Sequence, residues 1–291
     1  MKVLVTGGAG FVGSYVVRKL AENGHDVAVF DSLAKEGTVA SDVKFIRGDI
    51  TNASDVNAAF KGREGIIHLA AQTQVQESIK NPVKDATINI LGTLNCLNAA
   101  VNSTVEKFVS FSSAAAYGEP KELPLKEETP CEPISPYGAS KLATETYCNA
   151  FSKIHNLDTI VLRPFNIYGK GGGGVIPLFL GRIQNEESFT MYGDGTQTRD
   201  YIYVEDIVNG CILALEKGKR GVYNIGTGIE TSLNELIETM GKVTGKKPDV
   251  KLGEHLEGDI QRSVADIIKI KKDLGFEPKY SLEDGLREMV K

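Results

Sequence analysis

The first 31 residues, MKVLVTGGAGFVGSYVVRKLAENGHDVAVFD, contain the pattern that decides the fold. A run over 2–5, apolar from Val3 onward, precedes a cluster of glycines, and a helical pattern of apolar residues follows over 11–23. A second run over 26–30, apolar from Val27 onward, is followed by Asp31. Short runs of consecutive apolar residues are typical of strands that are buried on both faces of a parallel sheet. The stretch therefore predicts a strand–turn–helix–strand unit, in which the helix connects two parallel strands.

The same alternation continues through the first 165 residues. It predicts four further strands, over 44–47, 65–69, 107–111 and 159–162. It also predicts two further clear helices, over 86–101 and 137–155. Strands and helices in this order predict an α/β fold with a doubly wound parallel sheet, the Rossmann architecture.

After Arg163 the regularity breaks. A glycine loop over 171–174 and a turn-rich stretch over 192–195 lie among further helices, one of them over 204–216. The run over 221–225 is a last strand that could return to the main sheet. We expect a first domain over 1–169, with a returning segment near 200–228, and a smaller C-terminal α/β substrate domain over 170–291.

Composition excludes several classes of function. The net charge is −5, and no window concentrates enough Lys or Arg to predict a nucleic-acid groove. No apolar stretch approaches the ~20 residues that a membrane span needs, and we do not expect the residues before the glycines to act as a secretion signal. The four cysteines are scattered without metal-ligand spacing, so we expect no metal site and a cytoplasmic protein with reduced thiols.

The glycines and Asp31 together predict a dinucleotide site. Glycines let the backbone approach a pyrophosphate, which sits at the helix N-terminus, where free N–H groups and the helix dipole favour anions. A carboxylate at the end of the second strand accepts hydrogen bonds from a ribose 2′-OH and repels a 2′-phosphate. Asp31 therefore favours NAD, against the alternative of a plain surface acid, while nearby Lys35 leaves NADP open.

Three Tyr-x-x-x-Lys pairs are candidates for acid–base chemistry, because this spacing puts both side chains on one helix face. Tyr15 lies on the helix after the glycine loop, where packing or solvent exposure explains it. Tyr117 is followed by Pro120, which makes an uninterrupted helix unfavourable there. Tyr137 and Lys141 follow a strand that ends in serines, at the crevice where doubly wound sheets bind ligands.

A tyrosine must lose about three pKa units to act as a base at neutral pH, which corresponds to about 4 kcal/mol. An ammonium ~5 Å away in an effective dielectric of ~20 supplies about 3 kcal/mol. We therefore expect Lys141 to provide most of the activation of Tyr137, and the positive charge of an oxidised nicotinamide to complete it.

These motifs occur in one order along the chain. They are Gly7-x-x-Gly10-x-x-Gly13, Ser112-Ser113, Tyr137-x-x-x-Lys141, the segment 163–169 (RPFNIYG) and the segment 198–204 (TRDYIYV). In this combination the chain resembles the extended short-chain dehydrogenases/reductases over nearly its whole length. Within them it is most similar to the nucleotide-sugar epimerases of UDP-glucose (UDP-galactose) 4-epimerase type.

The resemblance implies a role for individual residues. Catalysis is assigned to Tyr137 as the base, Lys141 on the nicotinamide ribose and Ser113 on the sugar hydroxyl. The residues implied to bind the cofactor are Gly7, Gly10, Phe11, Val12, Gly13, Asp31, Ser32, Asp49, Ile50, Leu69, Ala70, Ala71, Asn89, Tyr137, Lys141 and Phe165. Those implied to bind the UDP-sugar are Ser113, Tyr137, Asn166, Val175, Tyr192, Arg199 and Arg262. The family also implies a homodimer that pairs the helices over 86–101 and 137–155.

The implied reaction is a transient oxidation at C4 of a UDP-hexose, with the hydride returned to the other face of the 4-keto sugar. Related dehydratases and decarboxylases carry an acid just after the catalytic serine or threonine, but here Ala114 and Ala115 follow Ser113, which disfavours elimination and decarboxylation. Leu256 stands where these epimerases often place a diphosphate-binding arginine, and Arg262 is the candidate to substitute for it. Ser263 stands where a bulky residue can close the sugar pocket, so N-acetylated hexosamines are a further expected substrate.

Three alternatives remain at this stage. A nucleotide-sugar C4 reductase that releases NAD(P) and a UDP-glucuronate 4-epimerase use the same scaffold. A sensor that binds NAD without chemistry is the third, although such a protein can dispense with the Tyr137/Lys141 pair.

Overall fold

The computed structural model describes residues 1–33, 43–254 and 260–291. Its strands, in chain order, are β1 (Lys2–Thr6), β2 (Asp26–Asp31), β3 (Lys44–Arg47), β4 (Gly65–His68), β5 (Lys107–Phe111), β6 (Asp158–Pro164), β7 (Asn166–Tyr168), β8 (Phe189–Tyr192), β9 (Thr198–Arg199), β10 (Tyr201–Tyr203), β11 (Gly221–Ile225), β12 (Thr231–Ser232) and β13 (Val250–Gly253). Its α-helices are α1 (Phe11–Glu22), α2 (Ala53–Phe60), α3 (Val75–Lys80), α4 (Pro82–Ala86), α5 (Gly92–Val101), α6 (Pro136–His155), α7 (Val175–Gln184), α8 (Val204–Lys217), α9 (Leu233–Thr244), α10 (Ile268–Leu274) and α11 (Leu282–Val290).

The central sheet has the strand order β11-β6-β5-β4-β1-β2-β3, and every neighbouring pair is parallel. The strand order reverses between β1 and β4, as in a doubly wound sheet. This confirms the predicted fold class. The returning strand is also confirmed, since β11 lies beside β6 at the edge of the sheet.

Both faces of the sheet are covered, which explains why its central strands contain runs of consecutive apolar residues. Along β1, Val3 and Val5 pack with α1 and α8 on one face, while Leu4 packs with α2, α5 and α6 on the other. All three side chains are fully buried. Burial on both faces replaces the alternating pattern of a half-exposed strand by a continuous apolar run.

The C-terminal part has a core of its own, built from α7, α9, α11 and the aromatic residues Tyr168 and Tyr203. Three short strand pairs frame it, namely β7 with β10, β8 with β13 and β9 with β12. Phe11 and Tyr15 on α1 pack against this core, and the Tyr15 hydroxyl donates a hydrogen bond to the Lys170 carbonyl (3.1 Å). The start of the first Rossmann helix is thereby joined to the glycine loop over 171–174.

The structure differs from the prediction in the first part of the helix over 86–101. Residues Thr87–Leu91 form a π-helical turn, and α5 begins only at Gly92. Within the π turn the Asn89 carbonyl accepts the hydroxyls of Thr93 and Thr144, at 2.6 and 3.3 Å. Such turns often occur at functional sites. Nowhere in the described residues is there a helix with the length and apolar character needed to cross a membrane.

Candidate active site

The glycine loop between β1 and α1 is closed so tightly that side chains would not fit. Gly7 has a φ of +69°, and a Cβ added to it would lie 2.6 Å from the Ala70 nitrogen. A Cβ added to Gly13 would lie 2.1 Å from the Gly7 carbonyl oxygen. The Gly10 N–H donates to that same carbonyl (3.0 Å). The loop therefore needs glycine at these positions for backbone packing alone.

The N-terminus of α1 fits the pyrophosphate of a dinucleotide. Gly10 is its N-cap and provides no side-chain cap, and the first turn, which contains Phe11 and Val12, has no acidic residue. The first N–H groups of the helix and its dipole therefore face the loop without a competing negative side chain.

Asp31 lies beside this loop, at the end of β2. Its carboxylate accepts the N–H of Ala9 (3.0 Å) and the N–H of Leu33 (2.8 Å), which fixes its orientation. A carboxylate held in this way still has lone pairs for ribose hydroxyls. The half-buried Ser32 follows directly. Lys35, on which the NADP alternative depended, lies outside the described residues.

Two further predicted cofactor segments follow β4 and β3, on either side of β1 and β2 in the sheet. After β4, the N–H groups of Leu69 and Ala70 donate to the carbonyl and hydroxyl of Thr6, which holds 69–71 (LAA) against the glycine loop. After β3, the Asp49 carboxylate accepts the N–H and hydroxyl of Thr51, both at 2.8 Å. The Ile50 side chain is buried against Gly92, so that Asp49 is the more exposed of the two.

Two predicted cofactor residues are more buried than a groove lining implies. Asn89 is 1% exposed, and its amide bonds to Gln72, Asp85 and Ser140 at 2.9 to 3.1 Å. The Asn89 side chain thus ties the loop after β4 to α6. Phe165, just after β6, is 4% exposed and packs against the Tyr117 ring.

The candidate reaction centre lies where β5 ends and α6 begins. Ser113 is extended, and its Oγ accepts the Ala115 N–H (3.1 Å) and shares a hydrogen bond with the Tyr137 side chain. Lys141, one helical turn further, is 6% exposed and donates from Nζ to the Phe111 carbonyl (2.8 Å). The structure therefore brings Ser113, Tyr137 and Lys141 to the end of one central strand.

Gly138 lets α6 approach the serine so closely. A Cβ at Gly138 would lie 2.4 Å from the Ala115 carbonyl oxygen, so any side chain would push the helix away. Ser135 caps the helix by accepting the Gly138 N–H (3.1 Å), and Pro136 occupies the first turn. Both features favour a helix that begins at this point.

The electrostatics differ from the expectation for Tyr137. Burial is the largest effect and raises the pKa of Tyr137, whereas the hydrogen bond from Ser113 lowers it and the charge of Asp85 raises it. The charge of Lys141 is not among the causes of the raised pKa of Tyr137 in the protein without its cofactor, so the activation of Tyr137 by Lys141 and the nicotinamide stays a prediction for the cofactor-bound enzyme. Burial also lowers the pKa of Lys141 to about 8, against the opposing charges of Asp85 and Glu145.

The other candidate tyrosines are used elsewhere. Tyr15 bonds to Lys170, as described above. Tyr117 follows a short 3₁₀ turn (Ala114–Ala116), and its hydroxyl donates to Asn224 Oδ1 (2.7 Å) in the core. The prediction that no uninterrupted helix carries Tyr117 and Lys121 is confirmed.

A buried ion pair between β6 and α6 was not predicted from the sequence. Arg163 donates from Nε and Nη2 to the two carboxylate oxygens of Glu145, at 2.7 and 2.6 Å. The Ser112 hydroxyl donates to the same carboxylate, and the Arg163 guanidinium stacks on the Tyr117 ring at 4.7 Å. Ser112 is thus a structural partner of Glu145, and only Ser113 faces Tyr137. The sequence carries no local signal for this pair, because Arg163 lies on β6 and Glu145 on α6.

The predicted substrate residues lie in the C-terminal half and just before it. Asn166 and Tyr192 are exposed and Val175 is half-buried, at β7, at the end of β8 and at the start of α7 respectively. Arg199 lies in β9, paired with Thr231 of β12, and its Nη1 donates to the Thr198 carbonyl (2.8 Å).

Arg262 is paired with an acidic residue. It is exposed and donates from Nε and Nη2 to Glu230 at 2.7 and 2.6 Å. Thr198 also donates to Glu230, which brings Arg262 close to β9. Leu256, which stands where these epimerases often place the diphosphate-binding arginine that Arg262 was expected to replace, lies outside the described residues.

Comparison with known proteins identifies the family. The profile of the NAD dependent epimerase/dehydratase family matches residues 3–226. The putative UDP-glucose 4-epimerase of Methanocaldococcus jannaschii is 39% identical over 297 residues, which cover 99% of this chain and 97% of that protein. The structure of the UDP-glucose 4-epimerase of Thermotoga maritima with UDP-glucose superposes with a TM-score of 0.96 at 39% identity, covering 100% of this chain and 97% of that one. The UDP-glucose 4-epimerase of Thermus thermophilus in complex with NAD gives 0.93 at 37% identity, covering 100% and 98%.

The glycine loop, the oriented Asp31 and the Ser113–Tyr137–Lys141 cluster agree with these similarities over the full length. The chain therefore belongs to the NAD dependent epimerase/dehydratase family and is an NAD-using enzyme of the UDP-glucose 4-epimerase type.

Proposed function

We propose that this enzyme inverts C4 of a UDP-hexose, interconverting UDP-glucose and UDP-galactose through a transient 4-keto sugar. The observation that carries the proposal is the hydrogen-bonded Ser113–Tyr137 pair at a buried helix start, beside the same parallel sheet whose first strand leads into the glycine loop. Ala114 and Ala115 follow, so no acid stands beside Ser113 to drive elimination.

In this proposal Ser113 orients the C4 hydroxyl, and the Tyr137 oxygen accepts its proton and returns it in the second half of the cycle. When bound, NAD supplies the acceptor and donor of one hydride, together with a positive ring charge that favours the tyrosinate. Lys141, whose pKa burial lowers to about 8, still carries its charge at neutral pH and holds the ribose next to Tyr137.

The remaining assignments belong to the same proposal. The glycine loop and the start of α1 (Gly7, Gly10, Phe11, Val12 and Gly13) hold the pyrophosphate. Asp31 and Ser32 hold the adenosine ribose, and the segments at Asp49 and at 69–71 flank the adenine and the groove. Arg199, Arg262, Asn166, Val175 and Tyr192 hold the nucleotide and sugar of the substrate.

The test uses purified enzyme and UDP-galactose with no added nicotinamide. Epimerisation to UDP-glucose, read by NMR, is the expected result, because the cofactor is regenerated in each cycle. A requirement for stoichiometric NAD(P)H would instead show a reductase, and no turnover would show a sensor. Turnover of a panel of UDP-glucose, UDP-GlcNAc and UDP-glucuronate shows which sugar the enzyme accepts.

The catalytic assignment is tested by Tyr137→Phe, which we expect to lower kcat about a thousandfold, since general acid–base catalysis contributes 10²–10⁴-fold. The matched control is Tyr147→Phe on the same helix, where the tyrosine is 38% exposed. Equal activity of the two variants would refute the role of Tyr137.

We also propose that N-acetylated UDP-hexosamines are accepted, because the small residue Ser263 occupies a buried position at the sugar end. Ser263→Tyr is expected to abolish turnover of UDP-GlcNAc while UDP-glucose is still converted. Full activity of Ser263→Tyr on UDP-GlcNAc would refute this specificity.

We further propose a homodimer formed through the helical layer of 86–101 and 137–155. Leu91 is 47% exposed and Ile154 is 73% exposed, although both are large apolar side chains on those segments. Burial of such side chains in a partner stabilises association. Light scattering should give twice the chain mass, and Leu91→Asp with Ile154→Asp should give the monomer; a monomeric wild type would refute the proposal.

A further inference from the structure

Asp85 on α4 is a buried acid that neither the catalytic scheme nor the cofactor site uses. It is 1% exposed. Its Oδ1 accepts Gln72 Nε2 (2.9 Å) and Asn89 Nδ2 (3.1 Å), whereas Oδ2 is buried without a hydrogen-bond partner among the described residues. A buried carboxylate oxygen without a partner is costly and requires an explanation.

Asp85 belongs to one hydrogen-bonded cluster with the start of α6. Asn89 Nδ2 also donates to Ser140 Oγ (3.0 Å), and Ser140 Oγ donates to the Tyr137 carbonyl (3.0 Å). From α3, Ser78 Oγ accepts the Tyr137 N–H (3.1 Å). The cluster therefore encloses the helical turn that carries Tyr137 and Lys141.

Hydrogen bonding alone does not explain why this residue is an acid. An asparagine would accept the same two bonds through its oxygen and would avoid burying a charge. What distinguishes Asp85 from an asparagine is its negative charge, so the charge itself needs a partner in the cluster.

Lys141 is a buried cation that makes no ion pair with a carboxylate within the part of the chain that the structure describes. The titratable groups that interact with it electrostatically are Glu145 and Cys148 on α6, His68 on β4 and Asp85 on α4. Glu145 is already paired with Arg163, and burial lowers the pKa of His68 to about 3, so that His68 is neutral. The charge of Asp85 is the largest influence that opposes the burial-driven fall in the pKa of Lys141, and it also raises the pKa of Tyr137.

We propose that Asp85 is an electrostatic positioning residue of the reaction centre, whose buried carboxylate keeps Lys141 in its ammonium form and thereby sets the pH range in which Tyr137 and Lys141 act together. This inference rests on the proposed function, in which those two residues form the reactive pair. Asp85 touches neither substrate nor cofactor and acts through Lys141 and Tyr137.

The first test is Asp85→Asn, which keeps both hydrogen bonds and removes only the charge. Without the charge both Lys141 and Tyr137 release their protons more readily, so both limbs of the kcat–pH profile should move to lower pH. A unit charge roughly 10 Å away in an effective dielectric of about 20 moves a titration by about one unit, which is the expected shift. Unchanged limbs in an active Asp85→Asn enzyme would overturn the proposal.

The matched control is Asp206→Asn on α8, on the opposite face of the sheet. Asp206 is also 1% exposed, and it accepts the N–H groups of Lys279 and Tyr280. The same substitution there should lower stability without moving the limbs. Equal shifts in both variants would mean that any buried acid has this effect, which also overturns the proposal. If wild type fails to epimerise any UDP-sugar, the proposed function fails first, separately from this inference.

A second test needs no activity. Urea unfolding midpoints of wild type, Asp85→Asn, Lys141→Met and the double variant form a double-mutant cycle. Asp85→Asn should lower the midpoint when Lys141 is present, because the buried ammonium loses its partner. In the Lys141→Met background the same change should leave the midpoint unchanged or raise it. Additive effects would show that the two charges are not coupled and would overturn the proposal.

Discussion

Two arginine–glutamate pairs in this enzyme have the same geometry in opposite environments. Arg163 on β6 and Glu145 on α6 are joined at 2.7 and 2.6 Å, and so are Arg262 and Glu230 in the C-terminal half. The side chains of the first pair are 6% and 5% exposed, whereas Arg262 is 61% exposed and Glu230 is 23% exposed.

The difference shows that environment, and not hydrogen-bond geometry, decides what such a pair does. A buried pair cannot lose one partner without leaving an uncompensated charge in a medium of low dielectric. When an exposed pair separates, water solvates both charges at little cost in free energy, so its arginine can change partners. The first pair therefore fixes α6, while the second is suited to binding an anion.

The largest expected effect is at the buried pair. Glu145→Gln leaves Arg163 charged and without its carboxylate, which we expect to destabilise the fold by about 3–5 kcal/mol. Urea unfolding measures it, with Glu230→Gln as the same substitution in the exposed pair and little expected change in midpoint. If Glu145→Gln does not fold, the double variant Arg163→Met/Glu145→Leu should restore folding. Equal midpoints for the two single Gln variants would remove the distinction between the pairs.

The pH dependence of the unfolding free energy is a second way to distinguish buried charged groups from exposed ones. Burial lowers the pKa of His68 to about 3, and His68 lies between the hydroxyls of Thr6 and Thr93. Between pH 6.5 and about 3 the unfolded chain binds a proton that the native state does not, so stability falls as the pH falls through this range. The slope is about 1.4 kcal/mol per pH unit for one such group.

The measurement compares the free energy of unfolding at pH 7 and pH 5 in wild type and in His68→Gln, which cannot take the proton. The pH dependence should be weaker in His68→Gln than in wild type. His155→Gln, at an exposed position on α6, is the control and should keep the wild-type slope. Parallel slopes for wild type and His68→Gln would contradict the prediction.

The same contrast explains what the sequence could predict. The internal closure of the loop from Gly7 to Gly13 and the cap of α6 at Ser135 depend on neighbours within a few positions, so their pattern is visible along the chain. The Arg163–Glu145 pair joins β6 to α6, and the cluster of Asp85, Asn89 and Ser140 joins three elements. Which acid meets which base across elements is decided by packing, and no local pattern records it.

The short strands of the C-terminal half escaped prediction for a different reason. The pairs β9–β12 and β7–β10 contain two or three residues on each strand, which is too short for an alternating pattern.

The activation of Tyr137 was predicted from charge alone, and the opposing effect of burial was not visible before the fold was known. The prediction of Arg262 near the substrate came from the resemblance, and its pairing with Glu230 was not foreseen.

At the exposed pair the expected effect is on binding. Arg262→Gln should raise KM for the UDP-sugar about tenfold and leave kcat unchanged, because a charge-assisted contact to a diphosphate is made equally in the ground and transition states. Steady-state kinetics measure this, with Arg287→Gln as the control at another exposed pair, Arg287–Glu283 on α11. An unchanged KM would make Arg262 a surface residue without a role in binding.

The smallest effect is expected at the partner of that arginine. In the structure Glu230 accepts two hydrogen bonds from the guanidinium of Arg262, so Glu230→Gln should release Arg262 toward the diphosphate. We expect KM to fall about two- to threefold at low ionic strength, and the difference to shrink in about 1 M salt, where charges are screened beyond ~3 Å. In the Arg262→Gln background the same change should have no such effect, because there is no guanidinium to release. A KM that rises in Glu230→Gln would show instead that the pair positions β9 and Arg199 as a unit, which would make the exposed pair structural like the buried one.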